Sequence, residues 1–252
     1  EFSRPLGYIP GTDWTKILIE KMADEFKVWG GKIIAEATVK KINYANNQFQ
    51  NVVYYENNPP AGGEKTISGD ILINTAPPHI FLSLFNYQDK KLQNIEYLDS
   101  LSLILETKQK LPEDFYMLAC LSPRYSFGGI FALSLLNKTM GIGNGTVLNF
   151  FTNLNPGNDY LRGKSSDELL KIYLDDFKRI FGVELKPVWH HLALIKNYSP
   201  KFLNNYQNPD QRGNIKGIYF AGNYLTYPAI TSTGSAIASG EKAADYIIED
   251  YK

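Results

Sequence analysis

Two stretches near the end of the sequence carry the residues best suited to chemistry. The first is Lys216-Gly217-Ile218-Tyr219-Phe220-Ala221-Gly222-Asn223, and the second runs Thr231-Ser232-Thr233-Gly234-Ser235-Ala236 and on to Ser239-Gly240-Glu241-Lys242-Ala243-Ala244. They read as a buried strand with a glycine at its exit, a polar loop, and a helix opening on small residues. A helix N-terminus presents free N–H groups and about +0.5 of an elementary charge, which suits an anion. Gly234, Ser235 and Ala236 add no bulk there, so a flat, negatively charged ring edge could reach the backbone. The same spacing also suits a strand and helix packed through a seam of small residues, and spacing alone leaves both readings open.

Other chemistry-bearing residues offer less. His190-His191 fall on a predicted strand, where neighbours point to opposite faces. With His79 the only other histidine, no metal site is expected. Cys120 is the sole cysteine, which excludes an internal disulfide, and its apolar strand marks it as core. Asp175-Asp176 read as a solvated helix face. Gly141-Ile142-Gly143 precedes a strand instead of leaving one for a helix, so it reads as a turn.

The elements that must position these residues follow from periodicity. Thr12 and Asp13 open a helix with Trp14, Ile17, Leu18, Met22, Phe26 and Trp29 at helical spacing, stopped at Gly30-Gly31. Residues 32–39, 41–44, 49–56 and 65–67 read as strands, with a turn at Asn46-Asn47 and another around residues 59–63. Residues 70–76 form an apolar run ended by Pro77-Pro78. Strands are predicted over 97–106, 115–121, 129–136, 146–152 and 189–195. Ser165 and Glu168 form a capping box ahead of a helical stripe that Gly182 ends. Thr233 is the predicted cap of a final helix reaching about residue 250, and Gly240 within it suggests close approach to a sheet or a neighbouring backbone.

The 252 residues are 44% hydrophobic and 21% charged, with 26 basic against 26 acidic side chains. That balance gives no footprint for nucleic acid or an anionic membrane. No apolar run reaches membrane-spanning length and no signal peptide opens the sequence, so the expected setting is cytoplasmic. Three glycosylation sequons, at Asn137, Asn144 and Asn197, are read as chance.

Taken together, these segments resemble the C-terminal portion of the FAD-dependent amine oxidase, protoporphyrinogen oxidase and carotenoid desaturase superfamily. The Ala-Gly-Asn run and the Gly-Ser and Ser-Gly-x-x-Ala-Ala steps resemble that superfamily's C-terminal FAD signature. The helix ahead of Gly30, the strand ending at Val39 and the strand over 69–77 agree in order. The resemblance implies an α/β (α+β) fold of two lobes. Residues 1–84 and 206–252 would form part of an FAD lobe, and 85–205 an antiparallel-sheet substrate lobe with a packed helix. It implies FAD as cofactor, with Val39, Gly222, Asn223, Thr233, Gly234, Ser235 and Ala236 as its contacts. No catalytic side chain is assigned. Asn223 stands where the superfamily has an acid, Ser232 where amine oxidases have an aromatic, and Leu101-Ser102-Leu103-Ile104 lacks their lysine. These departures point toward desaturase-like or protoporphyrinogen-oxidase-like hydride abstraction from a small apolar or cyclic substrate. The superfamily's opening strand, G-x-G-x-x-G turn and helix are not found, so the expected partner is a dinucleotide-binding half on the same or a separate polypeptide. Without it the chain is expected to hold FAD weakly and to be inactive. A flavin-dependent mutase and a protein-binding relative such as the GDP dissociation inhibitors remain alternatives.

Overall fold

The computed structural model describes residues 14–57, 63–111, 114–136, 140–141, 145–229 and 231–252. The predicted cap at Thr12 and Asp13, the turn near 59–63 and the Gly143 turn lie wholly or partly outside those residues. The chain divides into two compact units, one of residues 1–32 and 98–198, the other of residues 33–97 and 199–252. These boundaries differ from the expected ones at 84/85 and 205/206, and the first helix groups with 98–198.

In the first of these units, a five-stranded sheet has the order β6-β7-β8-β5-β9. Its strands are β5 (Tyr97–Thr107), β6 (Met117–Ala119), β7 (Gly129–Ala132), β8 (Thr146–Asn153) and β9 (Pro187–Pro200). Alternation decides what each face carries. Leu101, Leu103, Leu105, Ile130, Leu148 and Phe150 form one face and pack with Leu169, Tyr173 and Phe177 of α5 (Ser166–Phe181). Each such buried side chain contributes about 1.5–3 kcal/mol. The helix starts where the sequence says. Ser165 accepts from the Glu168 amide, Glu168 reaches back to the Ser165 amide, and Gly182 ends it at φ 70°.

Asp176 corrects the solvated reading of Asp175-Asp176. It is buried, accepting from the Ser126 amide at 2.6 Å and from Arg179 at 2.7 Å. A carboxylate this deep persists because both oxygens have donors. The first helix, α1 (Trp14–Val28), leaves Ile19, Met22 and Phe26 about half exposed.

The other unit contains a meander, β1 (Ala37–Ala45), β2 (Gln48–Glu56) and β3 (Glu64–Ser68), in the order β1-β2-β3. Ala45 pairs with Gln48, and Asn46 and Asn47 both have positive φ (51° and 58°). That is the two-residue turn whose twist matches a hairpin. The strand expected from residue 32 begins only at Ala37, because 33–35 have no strand partner among the described residues. A parallel pair follows, β4 (Leu72–Asn74) and β10 (Ile218–Phe220). Between them in sequence lie α2 (Pro78–Ser83) and α3 (Lys90–Gln93). Phe81 of α2 is fully buried and meets Phe85, Tyr87 and Phe220 edge-on at centroid distances of 5.1–5.4 Å. Such pairs add to area burial. A short helix α4 (Leu133–Leu136) replaces the end of the strand expected over 129–136.

The last helix, α6 (Thr233–Asp250), ends in a charged cluster. Arg212 pairs with Asp250 at 2.9 Å and Glu249 at 2.8 Å and stacks on the Tyr246 ring at 3.9 Å. Asp250 also accepts from the Tyr219 hydroxyl at 2.7 Å. Hydrogen bonds from Arg212 and then Tyr219 hold the Asp250 carboxyl below its ordinary range. A depressed carboxylate stabilises the fold above its unfolded pKa, and that contribution is lost as pH falls through the folded value. Arg212→Met should therefore flatten the acid limb of a melting-temperature profile between about pH 5 and 3, where the unfolded carboxylates titrate. Thermal melts across that range check it.

Candidate functional site

The candidate site is built where β10 ends and α6 begins, within residues 33–97 and 199–252. Ile218, Tyr219 and Phe220 are all buried, so β10 is a core strand flanked by backbone on both sides. Gly222 sits at φ 143°, and a Cβ there would lie 3.0 Å from the Tyr224 ring. Only glycine takes that corner without strain. The chain then enters a short 3-10 turn, Asn223–Leu225.

Hydrogen bonds lock this corner to its neighbours. The Ala221 amide donates to Asn74 O at 3.0 Å. The Gly222 amide donates to the Ser239 hydroxyl at 2.8 Å, tying the strand exit to α6. Gln211, buried, donates through Nε2 to Phe220 O at 3.0 Å and to Ser239 O at 2.8 Å. The Asn223 side-chain oxygen accepts from the Tyr97 hydroxyl at 3.2 Å. Burial pushes the Tyr97 phenol up, so it remains a neutral donor. His79 meets the Tyr97 ring edge-on at 5.8 Å. Tyr206 donates to Tyr224 O at 2.5 Å, and burial raises its pKa to about 12. The Tyr224 hydroxyl approaches Asn74 without reaching hydrogen-bond geometry.

At the helix start the predicted cap shifts by one residue. Ser232, not Thr233, is the N-cap, accepting from the Ser235 amide at 3.1 Å while Ser235 Oγ receives the Ser232 amide at 2.9 Å. Serine at this position out-competes threonine because its neighbour three residues on closes a reciprocal box. The Ala236 amide donates to Ser232 O. Two of the three amides expected to face a ligand, those of Ser235 and Ala236, are thus satisfied within the chain. The amides of Thr233 and Gly234 have no partner among the described residues, and both residues are exposed. Among the described residues a Cβ at Gly234 would meet only the Ser232 hydroxyl, at 3.9 Å, so they leave the backbone there open to a flat group.

Gly222 is therefore tied through Ser239 to α6 about two turns past its start, and Asn223 is held by Tyr97. Val39 belongs to the separate meander, beside the irregularity between Val39 and Lys41. Tyr97, Gln211 and Ser239 were not singled out from sequence as partners of this corner. Gln211 had no local signal, since its bonds reach residues 9 and 28 positions away. The arrangement suits an anionic, planar, hydrogen-bonding group, and a flavin ring edge has that character. The Tyr97 and Tyr206 phenols there are raised by burial, which keeps both protonated as donors. Among the described residues, no cluster of three metal-ligating side chains occurs, and no helix is long and apolar enough to cross a membrane.

The model of the family described as flavin containing amine oxidoreductase matches residues 15–248. The chain is 31% identical over 96 residues to protoporphyrinogen oxidase 2, chloroplastic/mitochondrial, of Arabidopsis thaliana, covering 36% of this chain and 18% of that protein. A structure from Exiguobacterium sp. 255-15, described as a protoporphyrinogen oxidase, superposes with a TM-score of 0.72 at 19% identity, over 92% of this chain and 50% of that one. Reduced UDP-galactopyranose mutase superposes at 0.68 with 12% identity, over 93% of this chain and 51% of that one. The chain thus spans about half the length of these solved structures. With the family match extending from the first helix through α6, the chain belongs to the flavin containing amine oxidoreductase family.

Proposed function

We propose that this chain, joined to a dinucleotide-binding half, forms an FAD-dependent oxidoreductase that removes hydride from a small apolar or cyclic substrate. The observation that carries the reading is the open start of α6. The amides of Thr233 and Gly234 have no partner among the described residues, where a Cβ at Gly234 would meet only the Ser232 hydroxyl, and the Gly222 amide is tied to the same helix through Ser239. When bound, the flavin supplies the hydride acceptor; the protein supplies orientation and electrostatics.

The chain's own residues have distinct tasks in this reading. Thr233 and Gly234 amides, with the positive end of α6, hold negative charge at the ring edge. Asn223, oriented by Tyr97, offers its amide nitrogen to a ring acceptor while its oxygen is occupied. Val39 would contact the adenine end through its backbone. Substrate would lie over the face of the five-stranded sheet opposite α5. That face carries Phe131 and Phe151, whose rings are 5.1 Å apart, and a Ser102–Asn149 hydrogen bond of 3.0 Å. Its aromatic area suits an apolar or cyclic molecule.

The likeness to UDP-galactopyranose mutase favours a second reading, in which the flavin returns its electrons to the substrate. The two separate by stoichiometry. An oxidoreductase consumes an electron acceptor with each turnover, and a mutase consumes none.

Visible absorbance tests the cofactor assignment. The 252-residue chain purified alone should show little bound flavin and no turnover, since in this reading the other half grips the diphosphate. Joined to a dinucleotide-binding half it should be yellow, at about one flavin per assembly. A colourless assembly would overturn the reading.

A further inference from the structure

Within residues 98–198, the hairpin that joins β6 to β7 and the loop that follows β8 enclose a cleft of about 430 Å³. That volume falls in the range of small-molecule sites. The hairpin contributes Leu121 and Tyr125, β8 contributes Phe151 and Asn153, and the loop contributes Asn155 and Asn158. Among the described residues, no charged side chain lines it.

Hydrogen bonds and packing fix these walls. The Ser126 amide donates to the buried Asp176, Ser126 O accepts from Thr152 Oγ1 at 3.2 Å, and Arg179 lies 5.2 Å from the centre of the Tyr125 ring. Asp176 and Arg179 neutralise each other there. A Cβ at Gly129 would lie 2.6 Å from the Phe151 ring, so the glycine lets that ring lie against β7. In the loop, Asn158 Oδ1 accepts from the Asn155 amide at 2.7 Å, and Asn155 Oδ1 accepts from the Gly157 amide at 2.8 Å. The side-chain oxygens of both asparagines are thus engaged locally.

Asn153 differs. Its side-chain oxygen is buried and has no hydrogen-bond partner among the described residues. Buried acceptors are nearly always paired, so this exception calls for a donor from elsewhere. Strand alternation puts Asn153 on the face of β8 that carries Asn149 and Phe151, the face assigned above to substrate. Ser102 already engages Asn149, which leaves Asn153 as the open acceptor next along the strand from Phe151. The terminal torsion of an asparagine is broad, so its amide can turn toward a bound group. A carboxylate, phosphate or ammonium seated here would lose its water and meet no opposite charge.

We propose that this cleft binds an uncharged ring molecule that packs against Phe151 and donates an N–H or O–H to Asn153. Asn153 selects for the donor, and the lack of charge selects against amines and carboxylic acids. Calling the bound molecule the substrate rests on the reading above. The cleft itself does not depend on the flavin.

Titration of the 252-residue chain without flavin tests it. Carbostyril, a neutral two-ring lactam, should bind with nitrogen–proton NMR shifts confined to residues 120–128 and 151–158. Quinoline, the same frame without the N–H and the carbonyl, should bind at least about 5-fold more weakly, the loss of one hydrogen bond. Naphthoate, a carboxylate on a two-ring frame, should bind no better than quinoline. Asn153→Leu should erase the preference for carbostyril and leave quinoline affinity unchanged. The wild-type preference remains a readout even where the variant is unstable. No binding of carbostyril, equal affinity for carbostyril and quinoline, tighter binding of naphthoate, shifts at other residues, or a preference that survives Asn153→Leu would each overturn the proposal. Carbostyril binding as expected, in a protein that stays colourless when joined to a dinucleotide-binding half, would uphold the cleft and count against the flavin.

Discussion

Replacing Gly217 by alanine should destabilise residues 33–97 and 199–252 by about 3 kcal/mol, the sum of a left-handed backbone penalty and an overpacked contact. Gly217 has φ 84°, a region that L side chains rarely adopt. Its added Cβ would press directly on the Asp70 carbonyl oxygen, and Phe49 Cβ would lie at 3.5 Å. The carbonyl cannot retreat freely, because the Gly217 oxygen accepts the Leu72 amide at 2.7 Å and sets the β4–β10 register. Loss of that register would move Phe220 off Phe81 and Gly222 off Ser239. Chemical denaturation of the variant should show a midpoint well below wild type, with the transition of the other unit less affected. An unchanged midpoint would mean that the β4–β10 corner relaxes more easily than its hydrogen bonds imply.

Phe150→Ala is expected to cost about 3–5 kcal/mol, the range for truncating a buried aromatic in a core that collapses only partly. Phe150 is fully buried on β8. It stacks on Tyr173 at 5.7 Å and meets Phe127 edge-on at 5.1 Å and Phe177 at 6.2 Å. The Tyr173 hydroxyl is held by Thr152 at 2.6 Å, so its ring cannot swing into the space left behind. Burial also raises the Tyr173 phenol to about 12, keeping that hydrogen bond intact across ordinary pH. Denaturant melts compared with Phe150→Leu would separate the cavity from the general loss of apolar volume. The leucine variant should lose less than half as much.

Local signals carried much of this fold. Ser165 and Glu168, Gly182, and Asn46-Asn47 act through bonds within a few residues, and each takes the conformation that its spacing predicts. What failed to read out depends on distant partners. Asp176 looked solvated because its donor, the Ser126 amide, is 50 residues away. Pro77-Pro78 was read only as the end of a strand, yet Pro78 opens α2, where its missing N–H costs nothing. Residues 33–35 have strand-like sequence but begin no strand, since pairing and not propensity decides there. At the site, the small residues of α6 and the glycine corner were legible from spacing. The choice of Ser232 as cap depended on Ser235 reaching back, and Gln211 and Tyr97 entered only through tertiary contact.

The central claim is that the amides at the start of α6 face the cofactor. Gly234→Leu tests it most directly, because Gly234 is exposed and a Cβ there meets no atom of the described residues closer than the Ser232 hydroxyl at 3.9 Å. Flavin affinity is measured by absorbance titration in the chain joined to a dinucleotide-binding half of a solved relative. The account predicts an unchanged fold by circular dichroism and flavin binding weakened at least about 10-fold, the loss of one charge-assisted backbone contact. Equal flavin affinity in wild type and variant would contradict it.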